Sequence, residues 1–187
     1  MKEKVSLSFD KRTWAPSPLL GQIVLVSSLN EDGQSNVAPK SWISMMAFEP
    51  SLLALGCNLA HWTAQNILAR QEFVVNVPGD ELVEIVWKSH TLPHPRPVEN
   101  LGLTPIPAQK VKPPLIAECK AHLECTYVQH LAFGSEVIIL GEIVAASVDR
   151  EAVEAQDPYA YLRLFAFLEA GVYGTVEKAR HLGEEIV

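Results

Sequence analysis

Apolar residues fall along this chain in short runs, mostly alternating or continuous over strand lengths and separated by turn-forming residues. Residues 22–29 are rich in Val, Ile and Leu and stop at Asn30-Glu31-Asp32-Gly33. That stop is a turn signal, so residues 35–48 are expected to return as the second strand of a hairpin. Pro39 sits inside the return and cannot donate to a ladder, so the strand must bulge or lie open there. Residues 51–57 read as a third strand closed by Gly56 and Asn58, and residues 73–77 as a buried one.

Between these two strands the period changes. Ala64, Ile67 and Leu68 fall at i, i+3 and i+4, which predicts a short helix with Thr63 as its N-cap. A second helix follows, with Asp80 as cap and Leu82, Ile85 and Val86 as its apolar positions. Glu81 and Glu84 near its start and Lys88 and His90 at its end suit the helix dipole. Residues 93–114 then hold seven prolines (93, 95, 97, 105, 107, 113 and 114), which predicts a long excursion without regular structure, a cover or an interface arm.

Beyond it, Cys119, Ala121, Leu123, Cys125 and Tyr127 alternate with Lys120, His122, Glu124 and Thr126, so one face should be buried and the other wet. Residues 136–148 are nearly all apolar and read as a central strand. Asp157-Pro158 looks like an N-cap with proline at the first helical position, opening a long last helix with Leu162, Phe165 and Ala166 on its inner stripe. This order suits one small closed barrel with appended helices, spanning residues 1–187 as a single domain, better than a doubly wound sheet.

Composition narrows the function. The net charge is −7 and Lys and Arg form no cluster, which argues against nucleic acid and anionic membranes. Residues 1–14 lack a continuous apolar segment and residues 18–29 are too short to span a bilayer, so a cytoplasmic protein without a secretory signal is expected. Cys57, Cys119 and Cys125 are an odd set without metal-ligand spacing, and His90 and His94 are separated by Pro93, so no metal site is expected. Glycine-rich phosphate loops and a G-x-S-x-G elbow are missing, and no catalytic residue stands out.

Three pieces remain: Asn36-Val37-Ala38-Pro39-Lys40-Ser41-Trp42, the run from Phe48 to Cys57, and Thr63-Ala64-Gln65-Asn66-Ile67. With the Phe-Val-Val-Asn-Val strand at 73–77 and the later segments 118–125 and 141–144, they resemble the flavin reductase-like family, the FMN-binding split barrels that include the flavoredoxins. The resemblance covers roughly residues 16–175. It implies a mainly β fold, a split β-barrel of Greek-key type with several short helices and a C-terminal helix. It also implies a homodimer with FMN near the subunit interface.

The expected activity is that of an FMN-dependent oxidoreductase, taking hydride from NADH or NADPH as a flavin reductase or passing electrons as a flavoredoxin does. The alternative is a non-catalytic FMN-binding sensor or carrier. Expected cofactor-binding residues are Asn36, Ala38, Pro39, Lys40, Ser41, Trp42, Gly56, Cys57, Asn58, His61, Thr63 and Asn66.

The chemistry of FMN agrees with that set. Its phosphate needs hydroxyls, backbone N–H groups or a helix N-terminus, which the loop from Asn58 to Thr63 can present, with His61 assisting when protonated. Lys40 can neutralise charge on reduced flavin or phosphate. The ring's polar edge needs backbone groups not used in a sheet, which a break near Pro39 would free around Lys40, Ser41 and Trp42. Gly56 allows close approach, with Cys57 beside the cofactor. Three positions depart from the family pattern: Trp62 before the Thr of the helix step, Gly134-Ser135-Glu136 at the turn into the long strand, and Phe167 where an Arg is common, with Tyr173 retained.

Overall fold

In the computed structural model the described residues are 2–7, 16–169 and 171–180. Most of the leader reading over residues 1–14 therefore lies outside them. The strands are β1 (Gly21–Gln22), β2 (Val24–Leu29), β3 (Ser35–Lys40), β4 (Ile43–Phe48), β5 (Ser51–Asn58), β6 (Glu72–Val77), β7 (Pro105–Ile106), β8 (Leu115–Ile116), β9 (Ala121–Phe133), β10 (Glu136–Val148), β11 (Phe165–Glu169) and β12 (Val172–Thr175). The α-helices are α1 (Trp62–Arg70), α2 (Val83–Ser89), α3 (Arg150–Glu154) and α4 (Pro158–Leu162).

Seven strands form one antiparallel sheet in the order β3-β2-β6-β9-β10-β5-β4. Its two edges, β3 and β4, are joined by Ser41 and Trp42 alone. A flat seven-stranded sheet would hold its edges about 29 Å apart, whereas the short link from Lys40 to Ile43 reaches at most about 11 Å. The sheet must therefore curl until its edges meet, which makes a barrel split at Ser41-Trp42. The expected break falls there, two residues past Pro39. Pro39 itself pairs with Leu25 in unbroken register, because β3 is an edge strand and its outer side needs no donor.

Alternation along the strands sends Val24, Val26, Leu53, Leu55, Phe73, Val75, Cys125, Val137 and Ile139 inward, and α1 plugs the interior with Ala64 and Ile67. Gly141 is fixed by this packing, since a Cβ there would lie 2.5 Å from the Phe73 ring. The opposite faces of β2 and β3 supply Leu25 and Val37 to a second core with Leu82, Val86, Ile116 and Phe165.

Several expectations need correction. The face of β9 read as wet is covered: Glu124 is 3% and His122 8% exposed. The proline-rich excursion lies across that face, with the Gln109 and Lys110 N–H groups donating to the Glu124 carboxylate at 3.0 and 2.6 Å. The excursion is not wholly irregular, for it holds a 3-10 turn, Val98–Leu101, and β7, which pairs with β8. Thr63 is not the cap of α1; His61 holds that position and Thr63 lies inside the helix. Asp80 belongs to a 3-10 turn capped by Gly79, and its carboxylate instead accepts from Arg163 Nε and Nη2 at 2.7 and 2.6 Å.

The long C-terminal helix is replaced by a short helix and a hairpin. Asp157 caps α4 as expected, accepting from Tyr159 and Ala160 N–H at 3.1 Å. Arg163 then adopts a left-handed conformation that ends the helix, and Phe165 enters β11, paired between β1 and β12. Phe165 and Phe167 obey a two-residue period as well as Leu162, Phe165 and Ala166 obey a helical one. So short a run does not separate the two by pattern.

Candidate functional site

The split in the barrel creates the site. Ser41 and Trp42 belong to neither ladder, and two glycines hold them in place. Gly21 packs so closely on the Ser41 carbonyl that a side chain there would collide with backbone. Gly56 donates its N–H to the Trp42 carbonyl at 2.8 Å, and a Cβ on Gly56 would come within 3.1 Å of the Trp42 side chain. The expected close approach at Gly56 is therefore occupied by the Trp42 indole, which packs on Gly56 and remains half exposed.

At the end of β5, Asn58 shapes the turn into α1. Its side-chain oxygen accepts the Ala60 N–H at 2.9 Å, its backbone carbonyl accepts the His61 N–H at 3.0 Å, and its amide donates to Glu136 at 3.2 Å. Together these segments line a cleft of about 300 Å³ walled by Pro39, Lys40, Ser41, Trp42, Gly56, Cys57, Asn58, His61 and Glu136.

Eight of the twelve expected residues thus meet in one place. The other four lie behind the wall. Asn66 is buried and donates to Ser28 at 3.1 Å and Asn30 at 2.9 Å, tying α1 to β2. Asn36 accepts from His94 at 3.1 Å and from the Arg96 N–H at 3.3 Å, holding the excursion against β3. Ala38 and Thr63 are buried beside them. The Thr63 hydroxyl and the Asn36 amide nitrogen have no hydrogen-bond partner among the described residues, an uncommon condition for buried polar groups.

Glu136 is the addition to the wall, and His94 and Arg96 stand behind it on Asn36. Glu136 carried a faint signal in the turn that opens β10. His94 and Arg96 carried none, because they reach the site through contacts with Asn36 across some sixty residues of sequence.

The site is rich in cationic groups. Lys40 Nζ lies 3.3 Å from His61 Nδ1, and the His94 ring stacks on Trp62 with an interplanar angle of 5°. Arg96 is 8% exposed and spends its guanidinium on the carbonyls of Leu92 at 2.8 Å and His90 at 2.9 Å. None of the ion pairs among the described residues involves Lys40 or Arg96.

The titrating groups respond accordingly. Burial pushes the Lys40 ammonium down, opposed by Cys57 and reinforced by Arg96. Burial also lowers His61, with Lys40 adding to the effect and Glu136 opposing it. His94 falls through burial and the Arg96 charge. Burial pushes the Cys57 thiol up, while Lys40 pulls it back. Lys40, partly desolvated and without an ion pair among the described residues, is a charge that an anion in the cleft would relieve.

A second cavity, of about 510 Å³, lies on the other side of Pro39, Lys40 and Ser41, which form a wall common to both. Its remaining walls are the α2 face of Val83, Val86 and Trp87 and the aromatic residues of β11 and β12. Among the described residues, no helix is long and apolar enough to cross a membrane.

Comparison with known proteins places this architecture. A protein of Archaeoglobus fulgidus is 38% identical over 111 residues, covering 58% of this chain and 63% of its own length. Nitrilotriacetate monooxygenase component B from Bacillus cereus has a similar structure, with a TM-score of 0.84, 20% identity, and coverage of 97% of this chain and 100% of its own. The flavoredoxin of Desulfovibrio vulgaris (Miyazaki F) superposes with a TM-score of 0.81 at 19% identity, covering 97% of this chain and 98% of its own. The flavin reductase like domain matches residues 19–164, from just before β1 to just past α4. A curled seven-stranded sheet split at Ser41-Trp42 and a sequence matching over most of its length lead to one conclusion: this chain belongs to the flavin reductase like domain family, with its split-barrel fold.

Proposed function

We propose that each subunit binds one FMN in the cleft at the barrel split and acts as an FMN-dependent oxidoreductase that accepts hydride from NADH or NADPH. The observation that carries this reading is Lys40, a partly buried ammonium in the cleft wall beside His61 with no ion-pair partner among the described residues, backed by Arg96 behind Asn36, in a protein whose net charge is −7. Burying cations without counter-charges is costly, and a dianionic phosphate supplies the missing partner.

The residues present fit the group. Lys40 and His61 can hold the phosphate, with Arg96 adding positive potential from behind Asn36. Thr63 and Asn36 keep unpartnered polar atoms close by. The segments Pro39–Trp42 and Gly56–Asn58 can meet the polar edge of the ring, Cys57 lies beside them, and Ala38 and Asn66 support the wall. Bound FMN would supply the hydride and electron transfer itself, while the protein positions it and sets its surroundings.

A homodimer fits the same site. Ile138 is the cross-strand partner of both Gly56 and Leu131, and Phe133 lies one pair further along the same outer face. These apolar side chains are exposed, at 38% for Ile138, 51% for Leu131 and 62% for Phe133. A patch of this kind adjoining the cleft suits a second copy that would also shield the cofactor.

Oxidation of NADH and NADPH by FMN-loaded protein tests the enzymatic reading. It predicts turnover well above that of the same concentration of free FMN. A protein that holds FMN but oxidises neither nucleotide faster than free FMN would be a carrier or sensor instead.

A further inference from the structure

We infer that the larger cavity, across the Pro39-Lys40-Ser41 wall from the cleft, is a separate subsite for an uncharged planar aromatic molecule of one or two fused rings. The inference rests on the proposed placement of FMN in the smaller cleft. Two elements that do not meet in sequence build its walls. On α2 and its C-cap, Val83, Val86, Trp87 and His90 follow i, i+3, i+4, i+7 spacing and all line the cavity. Facing them is the β11–β12 hairpin, where Phe167 is the cross-strand partner of Tyr173 and Phe165 meets the Tyr173 ring edge-on at 5.9 Å and 76°.

Trp87 and Tyr173 both line this cavity and are 49% and 46% exposed. Aromatic groups left open on two facing walls offer a flat ring both faces and edges to pack against. The volume of about 510 Å³ suits a small ring system.

The charges decide the class of ligand. Lys88 is paired with Glu84 at 3.4 Å, so that couple offers no net charge. His90 lies edge-on to Trp87 and its Nδ1 is engaged by the Trp87 carbonyl. Lys40 is shared with the cleft, where the phosphate would engage it. A dinucleotide pyrophosphate finds no free cation among the described residues here, whereas a neutral ring needs none and can turn one polar edge toward Ser41 or the Tyr173 hydroxyl. The hairpin begins at Phe165, just past the matched residues 19–164.

The test is calorimetric titration of the full chain, with and without FMN, using 2-naphthol and its saturated analogue decahydro-2-naphthol. The subsite predicts that 2-naphthol binds at least tenfold more tightly than the saturated compound, and does so with FMN present. Tyr173→Ala, at an exposed position, should weaken it about fivefold, and Val83→Trp, which fills the cavity, should abolish it. Equal binding of the two compounds, or 2-naphthol binding unmoved by both substitutions, overturns the inference. Displacement of FMN by 2-naphthol also overturns it, since the flavin ring would then occupy this cavity. FMN binding without naphthol binding leaves the proposed function standing, and naphthol binding without FMN binding does the reverse.

Discussion

Lys40 lines both cavities, and its replacement by Met separates the roles of charge and packing. Among the described residues its ammonium has one side-chain hydrogen-bond contact, His61 Nδ1 at 3.3 Å, and burial already pushes its pKa down. Lys40→Met keeps the stem, removes the charge and leaves His61 free to turn to water. The cofactor-free protein should therefore keep its stability within about 0.5 kcal/mol or gain slightly, since an unpaired buried charge is lost. Binding of FMN should respond differently. A charge-assisted hydrogen bond to phosphate contributes about 1.5–3 kcal/mol, which corresponds to roughly 10–150-fold in dissociation constant. Riboflavin has the ring but no phosphate, so its affinity should change by less than about threefold. Fluorescence titration of both flavins against wild type and Lys40→Met, beside urea denaturation of the cofactor-free proteins, measures all three quantities. Equal weakening of FMN and riboflavin, or no weakening of either, would refute a phosphate at Lys40.

Three further outcomes are expected. His61 and His94 have folded pKa values held below 6.5, so the unfolded chain takes up protons first. Their contribution to stability is complete above that value and lost as pH falls through the folded values. Thermal melts of the cofactor-free protein should fall from pH 7 to 5 with a slope reduced in the His61→Gln/His94→Gln protein; identical slopes would contradict this. Gly141→Ala places a Cβ against the Phe73 ring and should cost about 1–3 kcal/mol by denaturant unfolding, so an unchanged midpoint would show that the interior can yield there. Leu131→Glu should convert a dimer to monomers in light scattering, and a dimer that persists would place the interface elsewhere.

Much of the barrel was legible because its strands carry their own pattern. The inward set Leu53, Leu55 and Cys57 on β5 and Val137 and Ile139 on β10 can be read from alternation alone. What alternation did not reveal was coverage from outside. Glu124 looks solvated in sequence, yet its carboxylate is satisfied by N–H groups of a loop some fifteen residues away, and nothing local announces that pairing.

The candidate site divides in the same way. Its wall from Pro39 to Trp42 and from Gly56 to His61 is built of contiguous segments with recognisable turn chemistry, and those residues could be named in advance. Arg96 and His94 could not, because Asn36 recruits them across the fold. The C-terminal hairpin was missed for a third reason: Phe165 satisfies a helix and a strand equally well, and pairing with β1 decides between them.

The most direct measurement is the absorption spectrum of the purified protein after saturation with FMN and exhaustive dialysis. Flavin bands retained at about one per chain are the predicted result. A colourless protein that retains none would leave the split barrel intact and contradict the assignment of the cleft to FMN.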